Sequence, residues 1–155
     1  ALVIDSLKLP HAHFSTYQYA ALTDDERYRL YDAIKQRIVS RKPVPYLTHR
    51  AWFMGLPFYV DERVLIPRSP LAEIIEQQLA PWVFPEQVTD ILELCTGSGC
   101  IAVALAKVFP WAHVSAVDID ADALAVAARN IHDYDLAESV TLYQGDLFAP
   151  LPKTH

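Results

Sequence analysis

Long apolar runs, cysteine and clustered histidine are all scarce in this chain of 155 residues. No uninterrupted apolar run approaches the roughly 20 residues of a membrane-spanning helix, so we expect no such helix. The two cysteines, Cys95 and Cys100, have no second pair with which to form a metal site, and we expect both to be reduced in a cytoplasmic protein. His11 and His13 lack a clustered third ligand, so we expect no bound metal. The chain is 52% apolar and is long enough to bury a core.

Positive charge is scarce in the second half of the chain. Residues 1–70 contain ten Lys and Arg against seven Asp and Glu, a net charge of +3, whereas residues 71–155 contain three against twelve, a net charge of −9. An acidic half attracts cationic ligands and basic protein partners. The first half carries a basic group that could make weak contact with ribosomal RNA, although such groups are more often the solvated face of a helix; it consists of Lys35, Arg37, Arg41, Lys42 and Arg50.

The first third of the chain has a helical pattern. Thr23 and Glu26 have the spacing of a capping box, in which each side chain accepts from a free backbone N–H of the other residue. The helix should end before Pro43. Its apolar residues recur at helical spacing and are expected to be core; they are Leu30, Tyr31, Ile34 and Ile38. We interpret residues 1–48 as part of an N-terminal helical domain.

A β-type segment follows, and we interpret residues 49–68 as a β-hairpin linker. Two aromatic runs, 52–54 and 58–60, flank a turn at Gly55. Ser69 and Pro70 then have the pattern of a helix start. Residues 81–85 are expected to form a turn whose two aromatic side chains are buried.

Residues 69–155 are expected to form a Rossmann-like α/β domain, in its N-terminal part only. Strand patterns at 88–94, 113–118 and 140–143 alternate with helical patterns at 101–109 and 121–131. This alternation predicts parallel strands joined by right-handed crossovers, the doubly wound arrangement. Only about three strands of such a sheet are present, so the fold class is α/β with a partial doubly wound sheet.

The most informative segment is the loop between the first of these strands and its helix. The strand ends at Glu93, and the loop that follows consists of Cys95, Thr96, Gly97, Ser98 and Gly99. Glycines remove the Cβ atoms that would block a ligand, and the free N–H groups of the helix start face it. The segment 97–102 matches the dinucleotide fingerprint G-x-G-x-x-G/A, and Asp118 lies 21 residues beyond Gly97. A nicotinamide-dependent dehydrogenase is therefore one interpretation.

Three carboxylates favour a different cofactor, S-adenosylmethionine (SAM). Glu93, Asp118 and Asp146 each stand where a successive strand ends. One can meet the cationic methionine end of SAM, one can accept from both ribose hydroxyls, and one can meet the adenine amino group. Leu147 can add an apolar contact to the base. A dehydrogenase leaves Asp146 without a purpose.

Several segments resemble one enzyme family, the HemK/PrmB protein-glutamine N5-methyltransferases. The likeness lies in the loop 93–102, in 116–120 and 145–148, and upstream in 45–48, 51–53 and 58–70. It extends from about Leu30 to the end of the chain. The sequence of residues 67–70, Pro-Arg-Ser-Pro, is similar to the PrmB branch, whose substrate is a large-subunit ribosomal protein.

This resemblance implies a SAM-dependent methyltransferase that N5-methylates a glutamine side-chain amide of a ribosomal protein. It implies that Glu93 and the loop hold the methionine end, and that Arg68 lies near the substrate. The remaining cofactor contacts implied are Asp118 for the ribose and Asp146 with Leu147 for the adenine. Ile119 is a further cofactor contact with no particular part of SAM assigned to it.

The family's catalytic signature, Asn-Pro-Pro-Tyr, is absent from these 155 residues, and no Asn-Pro pair occurs in them. The catalytic residues are therefore unassigned, and we expect a fragment that binds the cofactor without transferring its methyl group. Cys95 stands where the family often has glycine, and Glu93 where it often has aspartate. A non-enzymatic alternative is a ribosome-binding module that keeps the loop as structure and uses its basic helical end.

Overall fold

The computed structural model describes residues 2–9, 14–17 and 19–152. The chain divides into two compact units, residues 1–50 and residues 51–155. His11 and His13 lie outside the described residues. Among the residues that are described, no helix is long and apolar enough to cross a membrane.

The first unit is helical. Its helices are α1 (Leu2–Ser6), α2 (Phe14–Tyr17), α3 (Asp24–Ser40) and α4 (Val44–Thr48). The capping box is confirmed: the Thr23 hydroxyl accepts from the Glu26 N–H at 3.3 Å, and the Thr23 N–H donates to Glu26 Oε2 at 2.8 Å. Helix α3 ends where Arg41 turns left-handed at φ 56°, two residues before Pro43.

The prediction that the apolar side of α3 is core is wrong for most of its length. Leu30 is buried, but Tyr31 is 68% exposed, Ile34 is 45% exposed and Ile38 is 70% exposed. In the described part of the first unit, α3 packs against α1 and α4. Each of these has five residues, about one and a half turns, and they are too short to cover a helix of 17 residues.

The second unit begins with the predicted hairpin. Strands β1 (Ala51–Phe53) and β2 (Leu56–Phe58) pair antiparallel, with Phe53 opposite Leu56. The two turn residues, Met54 at φ 49° and Gly55 at φ 71°, have the positive φ of the turns that fit a hairpin's right-handed twist. Phe53 and Phe58 are buried in the core of this unit.

Helix α5 (Leu71–Glu76) begins one residue later than the sequence predicts, with Pro70 as its N-cap, and the Ser69 hydroxyl accepts from the Leu71 N–H at 3.2 Å. The expectation of buried aromatics at 81–85 is wrong, because Trp82 is 70% exposed and Phe84 is 68% exposed. Leu79 and Val88, on either side, supply the contacts with the core instead. The intervening turns run over the surface, as loops usually do, and direct their aromatic rings to solvent.

Three parallel strands form the centre of the second unit. They are β3 (Asp90–Leu94), β4 (His113–Asp118) and β5 (Val140–Gln144), paired in that order, with α6 (Cys100–Val108) and α7 (Ala121–Asp133) as the connections. Helix α6 and one face of the sheet form the core, which includes Ala102, Val103, Val114, Ala116 and Val140. The α/β class and the parallel sheet are confirmed.

Parallel pairing determines where the candidate site lies. Glu93 is paired with Ala116, and Asp118 with Gln144, so the three strands end side by side. The loops that follow them therefore share one edge of the sheet, the carboxyl edge, at which open α/β sheets bind ligands.

Candidate functional site

The loop after β3 has an unusual backbone. Cys95, Gly97 and Gly99 have φ angles of 60°, 55° and 74°, all in the left-handed region. Glycine adopts this region without a steric cost, but a residue with a Cβ does not. Cys95 is therefore a strained residue at the entry to the loop, at the position where the resembling family often has glycine.

The two glycines serve different purposes. A Cβ on Gly97 would meet no atom within 4 Å, so the space beside it is open to a ligand. A Cβ on Gly99 would lie 3.1 Å from Ala127 Cβ and 3.2 Å from Ala127 Cα. Gly99 thus allows the loop to approach α7 closely, whereas Gly97 leaves the loop backbone accessible to a ligand.

Glu93 is a buried carboxylate beneath the loop. It is 9% exposed, and the Thr96 hydroxyl donates to its Oε2 at 2.7 Å. Burial raises the pKa of Glu93 to about 7, against the lowering effect of the hydrogen bond from Thr96. A cationic ligand group placed beside it would favour the ionised form, so the residue fits the role of binding an ammonium group.

Asp118, at the end of the neighbouring strand, is hydrogen-bonded to the same loop. Its Oδ2 accepts from the Gly97 N–H at 2.8 Å, and its Oδ1 accepts from the Asp120 N–H at 3.1 Å. Each carboxylate oxygen has two acceptor positions, so these bonds leave capacity for a ligand hydroxyl. The predicted role at a ribose stays a prediction, and the structure adds a loop-holding role that the sequence did not reveal.

Asp146, Leu147 and Ile119 lie in the two other loops of the carboxyl edge. Asp146 is exposed, Leu147 is 48% exposed and Ile119 is 69% exposed. The Gly145 N–H donates to the Asp118 carbonyl at 3.0 Å and thereby connects these two loops. Apolar and acidic side chains are therefore exposed along the carboxyl edge of the sheet, which also contains Glu93 and Gly97.

Arg68 is exposed in the segment between β2 and α5. No hydrogen bond or ion pair of its side chain with another described residue is present. The structure thus gives it no link to the loop, and its place near the substrate stays a prediction.

Asn130 is a buried polar residue on the apolar face of α7 for which the sequence gave no prediction. It is 1% exposed, and its side-chain N–H groups donate to the Ser98 carbonyl at 2.8 Å and to the Tyr59 carbonyl at 3.0 Å. Its Oδ1 accepts from the Tyr59 N–H at 2.8 Å. A signal was available, because Asn130 falls in the helical stripe of buried residues that contains Ala123, Val126, Ala127 and Ile131.

A compact ion pair lies near Tyr59 and was also missed. Asp61 is 8% exposed and accepts from the backbone and guanidinium of Arg63 and from the Tyr59 hydroxyl. The hydrogen bonds from the Arg63 side chain hold the pKa of Asp61 well below its usual value. The Arg129 guanidinium stacks 3.5 Å from the centroid of the Tyr59 ring. Segment 57–63 thus contacts α7 through Tyr59 and is cross-linked internally by Asp61.

Cys95 and Cys100 are both free thiols, and burial raises the pKa of Cys100 to about 11, which keeps that thiol protonated and unreactive. Within the part of the chain that the structure describes, no three His, Cys, Asp or Glu side chains come together as metal ligands would.

Sequence comparison finds close relatives over nearly the whole chain. The chain is 48% identical to the ribosomal protein uL3 glutamine methyltransferase of Bordetella pertussis over 97% of its own length and 51% of the relative's. Identity to the enzyme of the same name from Burkholderia pseudomallei is 48%, over 98% of this chain and 50% of the relative. The Francisella tularensis relative of that name is 43% identical, over 95% and 47%.

The chain is thus similar, over nearly its whole length, to enzymes named as ribosomal protein uL3 glutamine methyltransferases. It spans about half the length of the curated relatives that it matches. A family model described as RNA cap guanine-N2 methyltransferase also matches residues 88–155. That stretch contains the three parallel strands and the loops that follow them.

Comparison of solved structures finds more distant likenesses. The N-terminal domain of human METTL16 in complex with SAH matches with a TM-score of 0.46 at 18% identity, over 79% of this chain and 44% of that chain. The precorrin-6y C5,15-methyltransferase of Geobacter metallireducens matches with a TM-score of 0.44 at 17% identity, over 61% and 46%. The fold assignment depends instead on the strand pairing of this chain itself.

Proposed function

We propose that this chain binds SAM at the carboxyl edge of its sheet and serves as the cofactor-binding region of a protein-glutamine N5-methyltransferase. The observation that carries the proposal is its 43–48% identity, over 95–98% of its length, to three enzymes named for methylation of glutamine in ribosomal protein uL3. The proposed substrate is accordingly a glutamine side chain of a large-subunit ribosomal protein, and the proposed place of action is the cytoplasm.

The residues of the loop fit the chemistry of SAM. Glu93 offers a buried carboxylate to the ammonium group of the methionine end, and Gly97 leaves the backbone open to close approach. We assign Asp118 to the ribose and Asp146 with Leu147 to the adenine, and include Ile119 among the cofactor contacts. Cys95, Thr96, Ser98 and Gly99 complete the loop around the methionine end.

SAM supplies a methyl group on a sulfonium centre, and the protein must present an amide nitrogen to it. An amide nitrogen is a weak nucleophile because its lone pair is delocalised into the carbonyl, so the amide has to be held in line with the methyl group. No Asn-Pro pair is available in these 155 residues to accept from the amide N–H groups. The chain's own contribution in this proposal is therefore to bind and orient the cofactor, with Arg68 near the substrate.

Calorimetric titration tests the cofactor assignment. The protein is titrated with SAM and, separately, with NAD, after circular dichroism has shown it to be folded. We expect saturable binding of SAM and none of NAD. Binding of NAD, or of neither ligand by the folded protein, would overturn the proposal.

A mass-spectrometric assay tests the substrate assignment. A protein that contains this chain together with the remaining half of the relatives' length is incubated with SAM and uL3. We expect uL3 to gain the mass of one methyl group on a glutamine, and a uL3 variant with that glutamine changed to alanine to gain none. Methylation elsewhere would contradict the proposed substrate.

Weak contact with ribosomal RNA also remains a proposal. Lys35 and Arg37 on α3, and Arg41 at its end, are exposed, and Lys42 and Arg50 follow them in the chain. Contact through phosphates predicts RNA affinity that falls steeply with salt. Fluorescence anisotropy between low and physiological salt measures it, and affinity independent of salt would contradict phosphate contact.

A further inference from the structure

Asn130 bridges two segments that are remote in sequence. Its side chain bonds to Ser98, 32 residues away, and to both backbone groups of Tyr59, 71 residues away. These three bonds use both N–H donors of the amide and one of the two acceptor positions of Oδ1. A buried amide is costly unless it is hydrogen-bonded, so this side chain is held in one orientation by its three contacts.

The cofactor loop needs such an attachment because its own backbone is soft. Gly97 and Gly99 both have positive φ, and glycine populates many other conformations. Three further hydrogen bonds hold the loop from the sheet side. The Gly97 N–H donates to the Asp118 carboxylate, the Thr96 hydroxyl donates to Glu93, and the Thr96 N–H donates to the Val117 carbonyl at 3.0 Å. The bond from Asn130 to the Ser98 carbonyl is the corresponding hydrogen bond from the helix side.

The other end of the bridge is a segment with several further contacts. Besides Asn130, α7 holds it through the Arg129 guanidinium on the Tyr59 ring, and just past the helix the Tyr134 hydroxyl donates to the Pro57 carbonyl at 2.7 Å. The Asp61–Arg63 pair closes the turn that follows Tyr59. The Ser98 carbonyl is thus connected, through one amide, to a segment that also contacts Arg129 and Tyr134.

We propose that Asn130 is a positioning residue for cofactor binding, which connects the glycine loop to the backbone of Tyr59 and keeps the loop in its ligand-accepting conformation. This inference depends on the proposed function, since it names a residue that acts on SAM through Ser98 and the loop. Asn130 is not assigned a contact with the cofactor itself.

Calorimetry with SAM on four forms of the protein tests the inference. Asn130→Ala removes the bridge, and Asn130→Asp at pH 8 keeps the shape but places a carboxylate against two carbonyl oxygens. Tyr134→Phe is the matched control, because it removes a hydrogen bond to the same segment at Pro57 and leaves the Ser98 contact intact. We expect both Asn130 variants to weaken SAM binding about tenfold or more, and Tyr134→Phe to stay within about twofold of the wild type.

Urea unfolding of the same proteins separates positioning from stability. If a folded Asn130 variant binds SAM as the wild type does, or if Tyr134→Phe weakens binding as much at equal stability, Asn130 is only structural and the inference is overturned. If the wild type itself does not bind SAM, the proposed function fails first.

Amide hydrogen exchange on the wild type supplies a readout that needs no variant. SAM should slow exchange of the Tyr59 N–H, which donates to Asn130, together with that of the Gly99 N–H, which donates to the Thr96 carbonyl at 2.9 Å. Protection of Gly99 without any change at Tyr59 would show that the bridge carries no coupling and would contradict the inference.

Discussion

The Asp118 carboxylate accepts a hydrogen bond from the backbone N–H of Gly97 at 2.8 Å. The end of β4 therefore holds the loop that follows β3, and the residue proposed for the ribose also shapes the loop proposed for the methionine end. Because one carboxylate does both, substitution of Asp118 should weaken SAM binding more than substitution of another partly exposed residue would.

Asp118→Ala should weaken SAM binding by roughly ten- to a hundredfold, since it removes one or two hydrogen bonds to a charged group and releases the Gly97 N–H. Isothermal calorimetry measures this. Asp135→Ala, an exposed carboxylate beyond α7, is the control and should bind like the wild type. Unchanged affinity in Asp118→Ala would remove the ribose assignment.

Glu93 should make the folded state less stable as pH rises. Its folded pKa is raised to about 7 from a usual 4.5, so between these values the folded state holds a proton that the unfolded state has lost. The contribution of Glu93 to the free energy of unfolding should therefore be greatest below about pH 4.5. It should fall by at most about 3 kcal/mol as pH rises through 7.

Urea unfolding at several pH values between 5 and 8, compared with Glu93→Gln, isolates this effect. The glutamine variant lacks the titrating group, so its stability should change less over the same interval. Parallel pH profiles for the two proteins would contradict a raised pKa at Glu93.

Binding of a cationic ligand group at Glu93 should release a proton. Because an ammonium beside the carboxylate lowers its pKa, SAM affinity should rise as pH increases towards 7 and level off above it. Calorimetry at pH 6 in two buffers of different ionisation enthalpy should show different apparent heats. Equal heats in both buffers, or the same difference in Glu93→Gln, would argue against an ammonium at this position.

Gly97→Ala should reduce SAM affinity, whereas Gly99→Ala should mainly reduce stability. Gly97→Ala should lower the free energy of unfolding by about 1 kcal/mol, because alanine is strained at the positive φ of this position. Its Cβ should also reduce SAM affinity, because it fills the open space beside the loop. Gly99→Ala should cost about 1–3 kcal/mol more, because its Cβ meets Ala127.

Gly55→Ala is a matched control for this pair, since Gly55 has φ 71° in the hairpin turn and open space around it. It should lose stability as Gly97→Ala does and bind SAM normally. Equal affinities for the Gly97 and Gly55 variants would show that no ligand approaches Gly97.

Cys95→Gly should stabilise the protein. Cys95 has φ 60°, a conformation that costs a residue with a Cβ about 1–2 kcal/mol, and part of that cost should be recovered in the glycine variant. Thermal or urea unfolding measures the gain, expected at about 0.5–1 kcal/mol. Cys95→Ala keeps the Cβ and should show no such gain; equal stabilities of the two variants would contradict backbone strain at this position.

Local patterns in the sequence were sufficient for much of the fold. Strand β4 begins and ends where its apolar pattern does, at His113 and Asp118, and α3 begins at the capping box of Thr23. Hydrogen bonds between neighbouring residues and alternation along a strand are local properties, so the sequence expresses them directly. The positions of the glycine loop and of its carboxylates along the chain can likewise be read directly from the sequence.

Burial on one side of an element could not be predicted in the same way. Tyr31 and Ile38 follow an apolar helical period and Trp82 is aromatic, yet all three are exposed. Whether an apolar residue is buried depends on which element lies over it, and α1 and α4 are too short to cover α3. Residue type alone does not contain that information.

The sequence by itself determined the parallel α/β fold, the glycine loop after β3 and the family that the chain resembles, because each depends on residues that are close together in the chain. Only the tertiary structure revealed the role of Asn130, which meets Tyr59 across 71 residues, and the bond from Asp118 to Gly97. The burial that raises the pKa of Glu93 is equally a property of the folded chain. Contacts between distant residues and removal from water exist only once the chain has folded.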